Sequence, residues 1–103
     1  MHVGMGVFFQ GLEPGRDDHA VVRENLALAD EAEKRGFESI WTAEHHFTRY
    51  HMMPNPAQFL TYMAGRTSRA RLGTMGMVLP WHEPIRVAEE IAWLDSVSGG
   101  RVL

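Results

Sequence analysis

The residues best suited to chemistry are Glu44-His45-His46-Phe47. They follow the short apolar run Ser39-Ile40-Trp41 and lead into a loop carrying Arg49, His51, Pro54 and Pro56. Histidine exchanges protons near neutral pH, and a loop beyond a strand end gives it access to a ligand. His45 is therefore the candidate acid-base group. Glu44 is placed either to orient His45 or to pair with Arg49, and the sequence leaves both open. His46, its neighbour, has a side chain expected to point elsewhere. A metal site is the competing chemistry, since His45, His46, His51 and His82 with Glu44 offer ligands. Adjacent histidines rarely share one metal, and no HExxH spacing is present, so no metal is expected. Trp81 and His82 fit either the wall of a substrate pocket or a surface loop. Arg66, Arg69 and Arg71 read as the solvated end of a helix, and Asp95 is expected to pair with Arg101 or Arg71.

Bulk properties narrow the rest. The chain has 103 residues, 45% of them hydrophobic and 22% charged, with net charge -3 and no cysteine. Thiolate metal sites, disulfides and cysteine nucleophiles are excluded. The charge gives no reason to expect nucleic acid or an anionic membrane as partner. No apolar run approaches the length of a membrane span. Met1 to Phe9 lacks a basic region and a small-residue cleavage site, so no leader is expected. A cytoplasmic location is the expectation.

The elements that must position the cluster alternate. His2 to Phe9 reads as a buried strand, and Gln10 to Arg16 as a loop. Asp17 or Asp18 opens a helix whose inward stripe is Val22, Leu26, Ala29 and Ala32, with Gly36 as its cap. Phe37–Thr42 is the second strand. Pro56 starts a helix running to about Ser68. Arg71 to Leu79 is the third strand, whose small residues would let a backbone or ligand approach closely. Pro84 starts a third helix ended by Gly99 and Gly100, and Arg101 begins a fourth strand. The order is β-α-β-α-β-α-β, with a strand roughly every 30 residues, as βαβ units repeat. A dinucleotide-binding fold is disfavoured because the glycines lack its spacing. An eight-unit barrel needs about 250 residues. The fold class is therefore α/β, a single partial domain forming the N-terminal portion, about three and a half βα units, of a (β/α)8 TIM barrel.

The ordered series Arg35-Gly36-Phe37, Ile40-Trp41, Glu44-His45-His46-Phe47-Thr48, Asn55-Pro56, Leu72-Gly73-Thr74, Val78-Leu79-Pro80 and His82-Glu83-Pro84-Ile85-Arg86 resembles the luciferase-like monooxygenases. The segment from Ala88-Glu89-Glu90 through Leu94-Asp95 to Ser98-Gly99-Gly100-Arg101 extends the likeness over essentially all of the chain. The resemblance implies a barrel enzyme that uses O2 and reduced FMN, supplied by a flavin reductase, to oxygenate a small organic substrate. It implies His45 as the catalytic histidine beside the isoalloxazine. Glu44, His46, Thr74, Met75 and Gly76 become candidate cofactor-binding residues. Met75–Gly76 falls where the family often has a non-proline cis peptide, and the phosphate site would lie beyond these residues. The family's dimer interface, homo- or heterodimeric, implies pairing through helices 56–68 and 84–98, which are apolar on more than one face. Two alternatives remain: hydride transfer with deazaflavin F420 on the same fold, and a non-catalytic remnant or dimerisation module.

Overall fold

The computed structural model describes residues 1–103. Three parallel strands, β1 (Gly4–Gly6), β2 (Ser39–Thr42) and β3 (Arg71–Thr74), lie side by side in that order. The register pairs Gly6 with Trp41 and Trp41 with Gly73. Helices α1 (Asp18–Ala32), α2 (Pro56–Ala64) and α3 (Pro84–Ser98) follow the strands in turn. Val102 bridges Leu72 in parallel, so a fourth strand position begins where the sequence places it.

Local signals explain the helices. Asp17 caps α1 by accepting from the N–H groups of His19 and Ala20, and Asn55 caps α2 through the N–H of Gln58. Proline opens both α2 and α3. Gly36 and Gly99 close their helical segments at φ 86° and 73°, where a side chain would be strained. No helix is long and apolar enough to cross a membrane.

Three features differ from expectation. The inward stripe of α1 is Val21, Ala29 and Ala32, while Val22 is exposed. The two alanines let α1 lie close to the sheet. Val22 then sits one residue round, in a groove shared with Phe59 and Tyr62 of α2, while Leu26 packs partly buried against the core. The strands are also shorter than their apolar runs. Val7 still bonds Trp41, but the N–H of Phe9 goes to His51 and its carbonyl to Met52. At β3 the ladder ends as Gly76, at φ 144°, turns the chain away. Finally, α2 stops at Ala64, because Gly65 caps it, the Arg66 and Thr67 N–H groups turn back to the Met63 carbonyl, and those of Ser68 to Ala70 have another partner.

That partner is Glu33, after α1. Its carboxylate accepts from the N–H groups of Ser68, Arg69 and Ala70 and from the Ser68 hydroxyl. Partial burial pushes the carboxyl up, but these donors outweigh it and bring its pKa down to about 2. Arg101 serves the same turn, donating to Thr67 Oγ1 and to the carbonyls of Ala64 and Ala70. Its fork satisfies carbonyls left over at the end of α2, so it does not pair with Asp95. Asp95 instead accepts from the Val102 N–H, and Arg71 stays exposed. Arg66 pairs with Asp30 of α1.

The core lies between the sheet and its helices, around Phe9, Ile40, Leu60, Met63, Leu72 and Leu94. On the other face Trp41 lies across Gly4 and Gly73, with its indole N–H on Ser39 Oγ at 2.7 Å. A Cβ at Gly73 would sit 2.3 Å from the Trp41 ring. The close approach foreseen at this glycine is thus made by a side chain of the same sheet.

Two outcomes follow. Gly73→Ala overpacks the Trp41 contact and should lower stability by about 1–3 kcal/mol in denaturant unfolding. For Glu33, a depressed native pKa gives stability that is present above the ordinary carboxyl pKa of 4.5 and lost as pH falls toward 2. After discounting for solvent, Glu33→Gln should cost about 1–2 kcal/mol at pH 7. That gap should close between pH 4.5 and 2. A gap independent of pH would contradict the assignment.

Candidate active site

Every side chain of the histidine cluster sits at the C-terminal ends of the strands. His51 is fully buried. Its Nδ1 accepts from the Phe9 N–H at 3.0 Å and its Nε2 faces the Ala43 carbonyl at 2.8 Å. An amide can only donate and a carbonyl only accept, so Nδ1 is bare and Nε2 carries the proton. Burial lowers its pKa, and the charge of a protonated His45 lowers it further, against the pull of the Ala43 carbonyl. His51 is locked neutral and ties the loop after β1 to the loop after β2. Nothing in its spacing along the sequence distinguished it from a possible ligand, because both of its partners lie outside the loop's own periodicity.

Glu44 is buried, with its side chain wholly covered. One oxygen lies 2.5 Å from His46 Nε2. The other accepts from the Val78 N–H at 2.8 Å, and His82 Nε2 reaches both oxygens at 2.9 Å. Burial pushes the carboxyl up, but the hydrogen bonds from His46, Val78 and His82 outweigh it and hold it below the usual carboxylate range. Glu44 therefore neither orients His45 nor pairs with Arg49. Side chains two apart along an extended chain share a side, so Glu44 and His46 meet while His45 points away. Arg49 instead donates to the carbonyls of Gly11 and Arg16 and pairs with Asp18, stapling the first loop to the second.

His45 is held through its main chain, whose N–H donates to the Met53 carbonyl at 3.0 Å. Its ring lies edge-on to His51 and near Tyr50, each at 5.5 Å. Its Nδ1 is buried and has no hydrogen-bond partner in the chain. The residue borders an open cleft of about 480 Å³ with His46, Phe47, Arg49, Met52 and Asp18. His46 stacks on Trp81 at 4.4 Å and 19°. Phe47 takes a left-handed backbone, φ 53°, and leaves its ring almost fully exposed.

The third strand brings only part of its expected contribution. The Met75 N–H donates to the Thr42 carbonyl, and the Gly76 carbonyl accepts from the Glu44 N–H. The Met75–Gly76 backbone thus runs beside the cluster, with Met75 about half exposed. Its peptide is trans, as is every peptide of the chain. The glycine turns the chain by its positive φ instead, a conformation open to it without a Cβ. Thr74 lines an apolar cavity of about 310 Å³ beside Leu60, Leu72 and Leu94. No group of three or more histidine and acidic side chains is arranged to hold a metal ion.

Known proteins resemble this chain in sequence and in fold. The model of the luciferase-like monooxygenases matches residues 1–103. The chain is 36% identical over 100 residues to 4-hydroxyprotoasukamycin monooxygenase of Streptomyces nodosus subsp. asukaensis, covering 96% of this chain and 27% of that protein. It is 38% identical over 79 residues to the oxygenase component of flavin-dependent trigonelline monooxygenase of Acinetobacter baylyi, covering 77% of this chain and 22% of the relative. Among solved structures, the oxygenating constituent of 3,6-diketocamphane monooxygenase from Pseudomonas putida, in complex with FMN, superposes with a TM-score of 0.86 at 26% identity. That match covers 100% of this chain and 28% of the other. The chain spans about a quarter of the length of the curated relatives it matches. A family match over every residue makes this chain a member of the luciferase-like monooxygenase family.

Proposed function

We propose that these residues are the first βα units of a (β/α)8 barrel enzyme, a flavin-dependent monooxygenase that uses reduced FMN and O2 to oxygenate a small organic substrate. One observation carries the reading: His45, alone among the strand-end histidines, has a buried ring nitrogen that no group of the chain satisfies. His51 has both nitrogens engaged, and His46 is held through Nε2 by Glu44. An unpinned imidazole can carry its proton on either nitrogen, which suits a group that gives and takes one. The cleft beside it gives a ligand room.

The residues present fit a flavin. The Met75–Gly76 backbone next to the cluster offers a surface without bulk, and the partly exposed His45, whose buried Nδ1 has no partner in the chain, borders the cleft. His45 and the Met75–Gly76 backbone would hold the ring system. Reduced flavin, when bound, would supply the electrons that activate oxygen. His45 would hold or deliver the proton at the reacting end. His51 would fix the loop so that His45 keeps its place, and Phe47 and Trp81 would keep water from the cleft. The reductase partner is proposed from the two-component character that the trigonelline enzyme's name implies. Pairing with a second subunit through α2 and α3 is proposed from Trp93 and Val97, one turn apart and exposed on α3.

In the full-length enzyme His45→Ala should lower turnover by a factor of about 10²–10⁴, the usual worth of an acid-base group, with FMN still bound. Rapid-mixing kinetics with photoreduced FMN checks this, and unchanged turnover would sink the role of His45. Retained hydride transfer without oxygen would favour the F420 chemistry instead.

A further inference from the structure

Glu44 stands in the family motif beside the candidate catalytic histidine, yet its carboxylate faces away from the cleft. Its side chain is fully covered, and a ligand could reach it only by displacing its donors. Those donors come from two separate loops. His46 belongs to the loop after β2. Val78 and His82 belong to the loop after β3, 34 and 38 residues further along. No lysine or arginine lies within ion-pair distance of it.

A buried anion demands donors, and losing one is costly because the charge cannot turn to water. The demand here is met jointly, so neither loop can leave without taking donors from the carboxylate. The consequences run to both sides. On the β3 side the anchored segment includes Met77 to His82 and follows directly on Met75–Gly76. On the β2 side, His46 is held through Nε2, and its ring forms the plate on which Trp81 of the other loop stacks. The main chain adds a tie, since the Glu44 N–H donates to the Gly76 carbonyl.

We propose that Glu44 is a positioning residue: it clamps the loop after β3 onto the loop after β2 and so fixes the Met75–Gly76 backbone relative to His45. It contacts no ligand itself. That the clamp sets flavin affinity rests on the flavin reading above. That it orders the loop does not.

The test uses the full-length protein. Glu44→Gln keeps the shape but leaves one carbonyl oxygen for three donors, and sets an amide N–H₂ against an imidazole N–H. Hydrogen exchange by mass spectrometry should show segment 76–82 exchanging at least about tenfold faster, with α1 unchanged. The Kd for FMN should rise about tenfold while kcat at saturating flavin changes little. Exchange in 76–82 that stays at the native rate would overturn the proposal, as would acceleration spread evenly over the chain. So would a loosened loop with unchanged FMN affinity. If the native protein binds no FMN, the flavin reading fails, and the exchange pattern alone decides whether Glu44 clamps the loops. Should Glu44→Gln not fold, His82→Ala removes one donor and leaves the carboxylate its other two. It should loosen the same segment to a smaller degree, and native exchange there would count against the clamp.

Discussion

A charge taken out of water must be surrounded by donors, and this constraint shapes the molecule at both ends of its sheet. At the C-terminal end of the strands Glu44 gathers His46, His82 and the Val78 N–H. At the opposite end Glu33 gathers the N–H groups of Ser68, Arg69 and Ala70. Both carboxylates reach across 34 to 38 residues of chain and join segments that the parallel sheet alone leaves loose. Three strands of three or four residues offer few ladder bonds. The polar anchors hold the loops where the ladder ends.

The same logic sorts the histidines. An imidazole has two nitrogens, and what each meets decides what the ring can do. His51 meets a donor on one side and an acceptor on the other, so it is a fixed strut. His46 and His82 each spend Nε2 on Glu44. His45 has only its main chain engaged, which leaves its ring for a ligand. Four similar residues thus take three roles without any difference in residue type.

That sorting also explains what could be read without coordinates. Helix starts at Asp17, Asn55-Pro56 and Pro84, and ends at Gly36 and Gly99, were legible because caps act within four residues of their own sequence. The parallel order of β1, β2 and β3 followed from the spacing of the units. In the α1 stripe Ala29 and Ala32 were legible and only Val22 was misplaced, because Val21 and Val22 are alike and only the close approach at Ala29 and Ala32 selects between them. Strand ends were overrun because the competing partners, His51 for Phe9 and Glu44 for Val78, lie more than 30 residues away. The place of His45 just beyond the end of β2 was legible in the chain order. The true partners of Glu44 were not, since side-chain direction after a strand end depends on where the next loop lies.

The most direct test of the central claim, that partners alone divide these histidines into struts and a free proton carrier, is nitrogen-15 NMR of the imidazoles in the full-length protein. The account predicts one fixed tautomer for His51, protonated on Nε2, and an average of both tautomers for His45. A single fixed tautomer at His45, or averaging at His51, would contradict it.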